Sequence, residues 1–412
     1  MADLSLVKAE ELSSAALPAV DARGVESVEQ MVYIDHSLSM AGFVGHPNSG
    51  FEEFVDSMPD VLPGCRLFVY GQSRGQGPSD SLARPAEFDR HIHEAAQYRL
   101  GFNPDDVLVN ALASDERPVF SIIVTDGVES DSDGTINTRV VDGIRKWLSG
   151  GRTFAVLRMK SLFLGDFYSE RARRMIGPVT APSRPFYAFV FSPGLTEFND
   201  LLTKLRKRIR DIQAIVFSPD SIRCSVRFPE QFDGFYDSKG SPTTAFYWQM
   251  LIRKSLDAPA EELSYRFDYE IAPDYPVKRL RLQLEVNLFR WEAKNFQSEG
   301  LRVDTSRDST LITELTEERD GAVVNGFSIK PKPFLTKDFG SRNEFYSIGQ
   351  LLKVVEIDDG IIEDSTRDDA DAANAGKTYR FQELITTLVE VHTKEVVGPR
   401  ICPRFYLTVA NR

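Results

Sequence analysis

Residues 31–39 read Met-Val-Tyr-Ile-Asp-His-Ser-Leu-Ser, an apolar run that ends in three oxygen-bearing side chains at alternate positions. These side chains belong to Asp35, Ser37 and Ser39. The apolar run predicts a buried strand, and the polar residues follow directly at its end. A hard cation such as Mg²⁺ prefers oxygen ligands in a near-octahedral array. The stretch therefore indicates a strand with a divalent-cation site at its carboxyl end.

A second strand of the same kind is predicted further along the chain. Residues 118–125 read Pro-Val-Phe-Ser-Ile-Ile-Val-Thr, and Asp126 and Gly127 follow them. Apolar runs without alternation are typical of strands that are covered on both faces, as in parallel sheets flanked by helices. Ligands of such sheets gather at the carboxyl ends of the strands. We therefore expect Asp35 and Asp126 to lie at one edge of a mostly parallel sheet.

Taken in this order, the two stretches resemble a von Willebrand factor type A (vWA) domain with its metal-ion-dependent adhesion site. The resemblance rests on the pattern Asp35-x-Ser37-x-Ser39 and on residues 123–127, Ile-Val-Thr-Asp-Gly. It implies an α/β Rossmann-like fold and a bound Mg²⁺, Mn²⁺ or Ca²⁺. It also implies a protein partner that offers an acidic side chain to the cation, without any catalytic residue.

The third loop of such a site departs from the family pattern. The family places a threonine at the start of a helix, whereas residues 106–112 of this chain read Asp-Val-Leu-Val-Asn-Ala-Leu. As a ligand, Asp106 would add a third carboxylate, which favours the cation and reduces its need for an outside acidic ligand. Alternatively, Asn103 is the N-cap of the helix, Pro104 takes its first position, and Asp106 complements the helix dipole. Both interpretations of Asp106 stay open from the sequence.

The composition fits a chain of two or three domains. Its 412 residues are 42% hydrophobic, so each domain has enough apolar residues for a sizeable core. The net charge of −12 argues against nucleic acid or an anionic membrane as the main partner. Cys65, Cys224 and Cys402 are scattered and odd in number, which is typical of reduced thiols in a cytosolic protein. No export signal or apolar span is recognisable, and we expect a cytoplasmic protein.

The pattern of strands and helices divides the chain into three parts. Residues 1–30 are polar and are interpreted as an N-terminal arm. Residues 31–210 alternate predicted strands and helices and form the vWA-like domain, with a polar and basic insertion at about 160–183. Residues 211–412 carry short alternating runs rich in aromatic and β-branched residues, which predict a β-rich, sandwich-like domain. A fragment that ends near residue 211 is therefore expected to fold alone.

Three further patterns have simpler explanations than a binding site. Residues 371–378 miss a phosphate-binding loop only at its first glycine, and a strongly acidic approach would repel a nucleotide. We interpret this region as a flexible acidic connection between strands. His91 and His93 lack the further ligands of a zinc site and indicate a polar surface. The basic residues at the end of the helix predicted at 196–209 fit a solvated face.

Two functions are compatible with the predicted metal site. The first is a non-enzymatic interaction module or scaffold subunit, in which a cation on Asp35, Ser37, Ser39, Asp106 and Asp126 takes an acidic side chain of a protein partner. Resemblance to intracellular vWA proteins implies a place beside an ATPase, in a multicomponent assembly or in a bacterial stress or conflict system. The second is a metal-assisted hydrolase that activates water at the same site. We favour the interaction module, because the sequence offers no identifiable catalytic base.

Overall fold

The computed structural model describes residues 28–70, 92–98, 105–115, 117, 119–127, 137–227, 235–239, 247–252, 263–292, 295–296, 301–303, 312–320, 323–331, 342–398 and 404–409. Where these ranges fall within 105–107, 224–269, 281–353 and 404–409, only the course of the backbone is described. The candidate site lies on a six-stranded sheet in the first half of the chain.

The six-stranded sheet is mixed, with a parallel part that contains the predicted site. Its strands are β1 (Glu29–Asp35), β2 (Arg66–Tyr70), β3 (Val119–Thr125), β4 (Thr153–Ser169), β5 (Arg174–Ser192) and β6 (Gln213–Phe217). Their order is β2-β1-β3-β5-β4-β6. The strands β1 to β4 share one direction, whereas β5 and β6 run in the opposite direction. With helices on its faces, this sheet has the architecture of an α/β, Rossmann-like domain.

Four helices cover the two faces of the sheet. They are α1 (Gly50–Val61), α2 (Asp105–Ser114), α3 (Thr138–Ser149) and α4 (Leu195–Arg206). The apolar side chains of α1 and α4 belong to one core cluster, and those of α2 and α3 belong to a second cluster. The first pair of helices therefore packs on one face of the sheet and the second pair on the other. None of the helices that the structure describes is long and apolar enough to cross a membrane.

Residues 160–183, predicted to interrupt the sheet pattern, continue it instead. The strands β4 and β5 run through this stretch as a paired two-stranded ribbon. Phe163 and Phe167 are buried on its inner side. A Cβ atom added to Gly42 would clash with the ring of Phe163, so the ribbon packs directly on the chain that follows β1. The stretch is polar in sequence because only one face of the ribbon is buried.

Beyond β6 the described chain is mainly strand. These strands are β7 (Ile222–Arg227), β8 (Phe235–Lys239), β9 (Tyr247–Ile252), β10 (Leu263–Ile271), β11 (Val277–Glu292), β12 (Asn295–Phe296), β13 (Leu301–Val303), β14 (Ile312–Asp320), β15 (Val323–Pro331), β16 (Arg342–Ile357), β17 (Ser365–Thr366), β18 (Thr378–Tyr379) and β19 (Arg404–Val409). One sheet has the order β14-β15-β10-β7, and another has β12-β11-β16-β19-β9-β8 with β13 on β11. The packing of these two sheets into a sandwich stays a prediction.

Residues 359–397 return to the six-stranded sheet. They contain α5 (Asp359–Ile362), α6 (Phe381–Val391) and a π-helical segment at His392–Val397. The apolar side chains of α6 belong to the same core cluster as α2, α3 and β6. The sequence-based prediction does not include α6, although its apolar residues recur at helical spacing: Phe381, Leu384, Ile385, Leu388 and Val389. One hydrophobic core thus contains residues from before and after residue 210. The domain boundary predicted there stays a prediction.

Candidate functional site

The carboxyl ends of β1, β2 and β3 meet at one edge of the sheet, where Asp35 and Asp126 lie. The strand β1 pairs in parallel with both β2 and β3, so all three strands end on the same side. The backbone N–H of His36 donates to the carbonyl of Tyr70 at 2.9 Å and holds the chain after β1 against the end of β2. The hydroxyl of Thr125 donates to Oδ2 of Asp35 at 3.2 Å. This edge is where the sequence predicts the two carboxylates.

The loop after β1 is organised by the carboxylate of Asp35. Asp35 is 0% exposed, and its Oδ1 accepts a hydrogen bond from the backbone N–H of Ser37 at 2.8 Å. The hydroxyls of Ser37 and Ser39 are hydrogen-bonded to each other, with their oxygens 2.9 Å apart. Neighbouring ligands of an octahedral Mg²⁺ ion are separated by roughly 2.9 Å when each Mg–O bond is about 2.0–2.1 Å. The spacing that this hydrogen bond gives the two hydroxyl oxygens is also that of adjacent ligands of such an ion.

Asp126 faces a cation that belongs to the protein itself. Its Oδ2 lies 3.4 Å from Nη2 of Arg184, whose side chain is 7% exposed. Nη1 of Arg184 donates to the carbonyl of Ala375 at 2.7 Å, and the guanidinium lies over the rings of Phe163 and Phe167. Burial lowers the pKa of Arg184, and the negative charge of Asp126 acts against this shift. Asp126 is therefore one half of an ion pair.

Asp106 is the second residue of α2, and its side chain lies outside the described residues. The interpretations as a metal ligand and as a helix-terminus carboxylate both stay predictions. Among the residues that the structure describes, no three His, Cys, Asp or Glu side chains form a group that could hold a metal ion. The predicted set of Asp35, Ser37 and Ser39 is of a different kind, because two of its three side chains carry hydroxyls.

The acidic segment that the sequence suggests to be a flexible connection lies on the ribbon of β4 and β5. Arg158 of β4 contacts Glu363 at 3.1 Å and Asp364 at 3.2 Å. Nζ of Lys160 lies 3.0 Å from Asp364. These carboxylates are held by ion pairs, so the interpretation as a flexible connection is wrong. The basic partners of these carboxylates lie about two hundred positions earlier in the chain; Arg158 and Glu363 are 205 positions apart. No local sequence pattern indicates such ion pairs.

The same segment forms a wall beside the end of β3. The hydroxyl of Tyr187 donates to Oγ1 of Thr378 at 2.9 Å, and burial raises the pKa of Tyr187. A Cβ atom on Gly127 would lie 3.5 Å from Cγ2 of Thr378, so the segment reaches the residue after Asp126. Lys377 is exposed, whereas Thr378 is buried. In a phosphate-binding loop the lysine and the threonine both face the ligand. Lys377 and Thr378 differ from this, because one is exposed and the other is buried.

His93 ties a short segment to α1 beside the candidate site, whereas His91 lies outside the described residues. Its Nδ1 lies 3.0 Å from Glu52, and its Nε2 lies 3.1 Å from Asp56. Burial opposes protonation of His93, but the hydrogen bond with Glu52 and the charges of both carboxylates outweigh burial and raise its pKa. His93 therefore clamps this segment to α1 through Glu52 and Asp56.

We expect His93 to make the free energy of unfolding depend on pH. Its pKa is higher in the folded state than in the unfolded state, where it is about 6.5. The stabilisation is fully present below the unfolded value and is lost as the pH rises through the folded value. The advantage of the wild type over His93→Gln should therefore be larger at about pH 5.5 than at about pH 8. Urea unfolding at both pH values measures it, and an equal advantage at both would contradict the clamp.

The resemblance to a vWA domain rests on the sequence motifs of this chain alone. Comparison with protein-family models, with curated proteins and with solved structures finds no match. The function must therefore be argued from the chemistry of the site itself.

Proposed function

We propose that this chain is a divalent-cation-dependent protein interaction module, acting as a cytoplasmic scaffold subunit of a multicomponent assembly. The observation that carries the proposal is the pair of hydroxyls on Ser37 and Ser39, 2.9 Å apart on the loop that follows the buried Asp35. This loop offers oxygen ligands to Mg²⁺, Mn²⁺ or Ca²⁺ at the edge where α/β sheets bind their ligands. The vWA-like fold and a sandwich of the two later sheets are part of the same proposal.

The proposed partner is a protein that brings an Asp or Glu carboxylate to the cation. Ser37 and Ser39 are half-buried, so the loop is accessible from solvent. Mg²⁺ usually keeps several water ligands when few protein ligands hold it, and a carboxylate oxygen replaces one of these waters. The net charge of −12 argues against nucleic acid or an anionic membrane at this surface. A place beside an ATPase, or in a bacterial stress or conflict system, follows from the resemblance alone.

An interaction module explains the site better than a metal-assisted hydrolase does. Hydrolysis at a metal needs a base that takes a proton from the attacking water. The imidazole next to Asp35 in sequence belongs to His36, which is buried with its ring centroid 4.4 Å from that of Tyr98. An imidazole that is 0% exposed is poorly suited to take a proton from a water at the half-buried loop.

Addition of Mg²⁺ or Mn²⁺ should raise the melting temperature of the full chain. A ligand that binds only the folded state stabilises it by about 2.7 kcal/mol at a hundredfold excess over its dissociation constant. Asp35→Ala and Ser39→Ala should weaken or abolish the response. Asp60→Ala is the control, because Asp60 pairs with Arg208 on the exposed surface. An equal response of wild type and Asp35→Ala to metal and to EDTA would place the cation elsewhere.

A pull-down tests the partner. The full chain, used as bait in the presence of Mg²⁺, should retain a partner protein that EDTA releases. Asp35→Ala bait should not retain it in either condition. Retention that is unaffected by EDTA would contradict a cation-dependent module.

A further inference from the structure

Arg184 is held as a fixed part of the site. It lies on β5, where its backbone is in register with Ser161 of β4. Its guanidinium lies 4.9 Å from the ring centroid of Phe163 and 4.7 Å from that of Phe167. The bond from Nη1 to the carbonyl of Ala375 measures 2.7 Å. Rings, carbonyl and burial together leave the guanidinium little room to move away from the edge of the sheet.

A guanidinium in this position needs a carboxylate. Removal of a charge from water is costly unless an opposite charge and hydrogen bonds replace the lost hydration. Among the ion pairs of the described residues, the one that Arg184 makes is with Asp126. The charge of Asp126 also acts on Arg184 more strongly than that of the more distant Asp369. Asp126 therefore supplies the main counter-charge of Arg184.

A divalent cation bound to Asp126 would weaken this pair. Its two positive charges would repel the guanidinium. A carboxylate turned toward the cation would also leave Arg184 buried without its counter-charge. The carboxylate of Asp35 accepts hydrogen bonds from two neutral donors, the backbone N–H of Ser37 and the hydroxyl of Thr125.

We propose that Asp126 is the counter-ion of Arg184 and not a ligand of the divalent cation, so that Asp35, Ser37 and Ser39 bind the cation without it. The presence of the cation rests on the proposed function, whereas the role of Asp126 rests on the ion pair. A dication with one carboxylate fewer keeps more net positive charge. It therefore attracts an acidic side chain of the partner more strongly, and partner binding depends more strongly on the metal.

Calorimetric titration of Mg²⁺ and of Mn²⁺ into the full chain tests the ligand set. Asp126→Asn should change the dissociation constant by less than about threefold, whereas Asp35→Ala should raise it more than about tenfold. A larger loss of affinity in Asp126→Asn would overturn the proposal, because it would make Asp126 a ligand.

A double-mutant cycle in urea tests the ion pair independently of any metal. Asp126→Asn and Arg184→Met should each lower the unfolding midpoint, and the double variant should lower it by less than the two shifts added. Arg184→Lys, which keeps the charge, should unfold at a higher urea concentration than Arg184→Met. Additive shifts would overturn the proposal. Should the wild type bind neither cation, the proposed function would lose its metal, while the cycle would still decide the role of Asp126.

Discussion

A fragment that ends at residue 211 is expected not to unfold cooperatively, contrary to the expectation from the sequence alone. It lacks β6 and α6, which contribute seven apolar residues that are 0% exposed: Ile215, Phe217, Phe381, Leu384, Ile385, Leu388 and Val389. Full burial of one such side chain contributes about 1.5–3 kcal/mol, so their loss removes roughly 10–20 kcal/mol. The net stability of an ordinary domain is only about 5–15 kcal/mol.

The truncated sheet would also expose the aromatic side chains on which these residues pack. Tyr187 stacks on Phe381 with ring centroids 4.5 Å apart, and Phe154 stacks on Phe217 at 6.2 Å. Urea unfolding followed by circular dichroism compares the fragment with the full chain. A control fragment that ends at residue 398 keeps both elements and should keep the transition of the six-stranded sheet. A single sharp transition in the shorter fragment would show that the sheet is stable without β6 and α6.

Asp369→Ala is expected to destabilise the folded chain by about 3 kcal/mol, since hydrogen bonds to a charged group contribute about 1.5–3 kcal/mol each and are not additive. Asp369 is 4% exposed. Its Oδ1 accepts from the hydroxyl of Ser169 at 2.8 Å and from the backbone N–H of Arg171 at 3.1 Å. Its Oδ2 accepts from the backbone N–H of Glu170 at 2.8 Å. These donors form the turn of the ribbon, so the variant should loosen its tip.

Asp368→Ala is the matched control for this prediction. Asp368 is the preceding residue, and it contacts Arg171 at 3.0 Å in a pair whose side chains are 50% and 54% exposed. Exposed pairs contribute about 0–1 kcal/mol. Urea unfolding of both variants measures the difference. Similar destabilisation by the two substitutions would mean that Asp369 does not hold the turn.

The elements that local sequence patterns predict well are those with a complete pattern of their own. The helix predicted at 138–149 has these bounds in the structure, because its apolar stripe and its N-cap Asn137 lie within one stretch of chain. The strand predicted at 118–125 is observed at Val119–Thr125, since a buried run of apolar residues identifies it. Because β1 and β3 pair in parallel, the residues at their carboxyl ends, Asp35 and Asp126, lie at one edge of the sheet.

The elements that sequence patterns predict poorly depend on partners from distant parts of the chain. The ribbon at 160–183 is polar on its outer face, and its pairing is visible only when β4 and β5 are together. The acidic residues near Asp369 indicate a solvated connection by composition. The hydrogen-bond donors and cations that contact these acidic residues lie on β4 and the turn that follows it. Ser169 and Asp369, for example, are 200 positions apart in the chain. The role of the acidic residues is therefore decided by proximity in space.

The candidate site divides in the same way. The sequence by itself determines that Asp35, Ser37 and Ser39 follow one another closely at the end of a buried strand, because their spacing is set by the covalent chain and the apolar run before it. Only the tertiary structure decides the role of Asp126. Its counter-ion Arg184 comes from β5, 58 positions along the chain, and the strength of an ion pair depends on the distance between charges and on their burial.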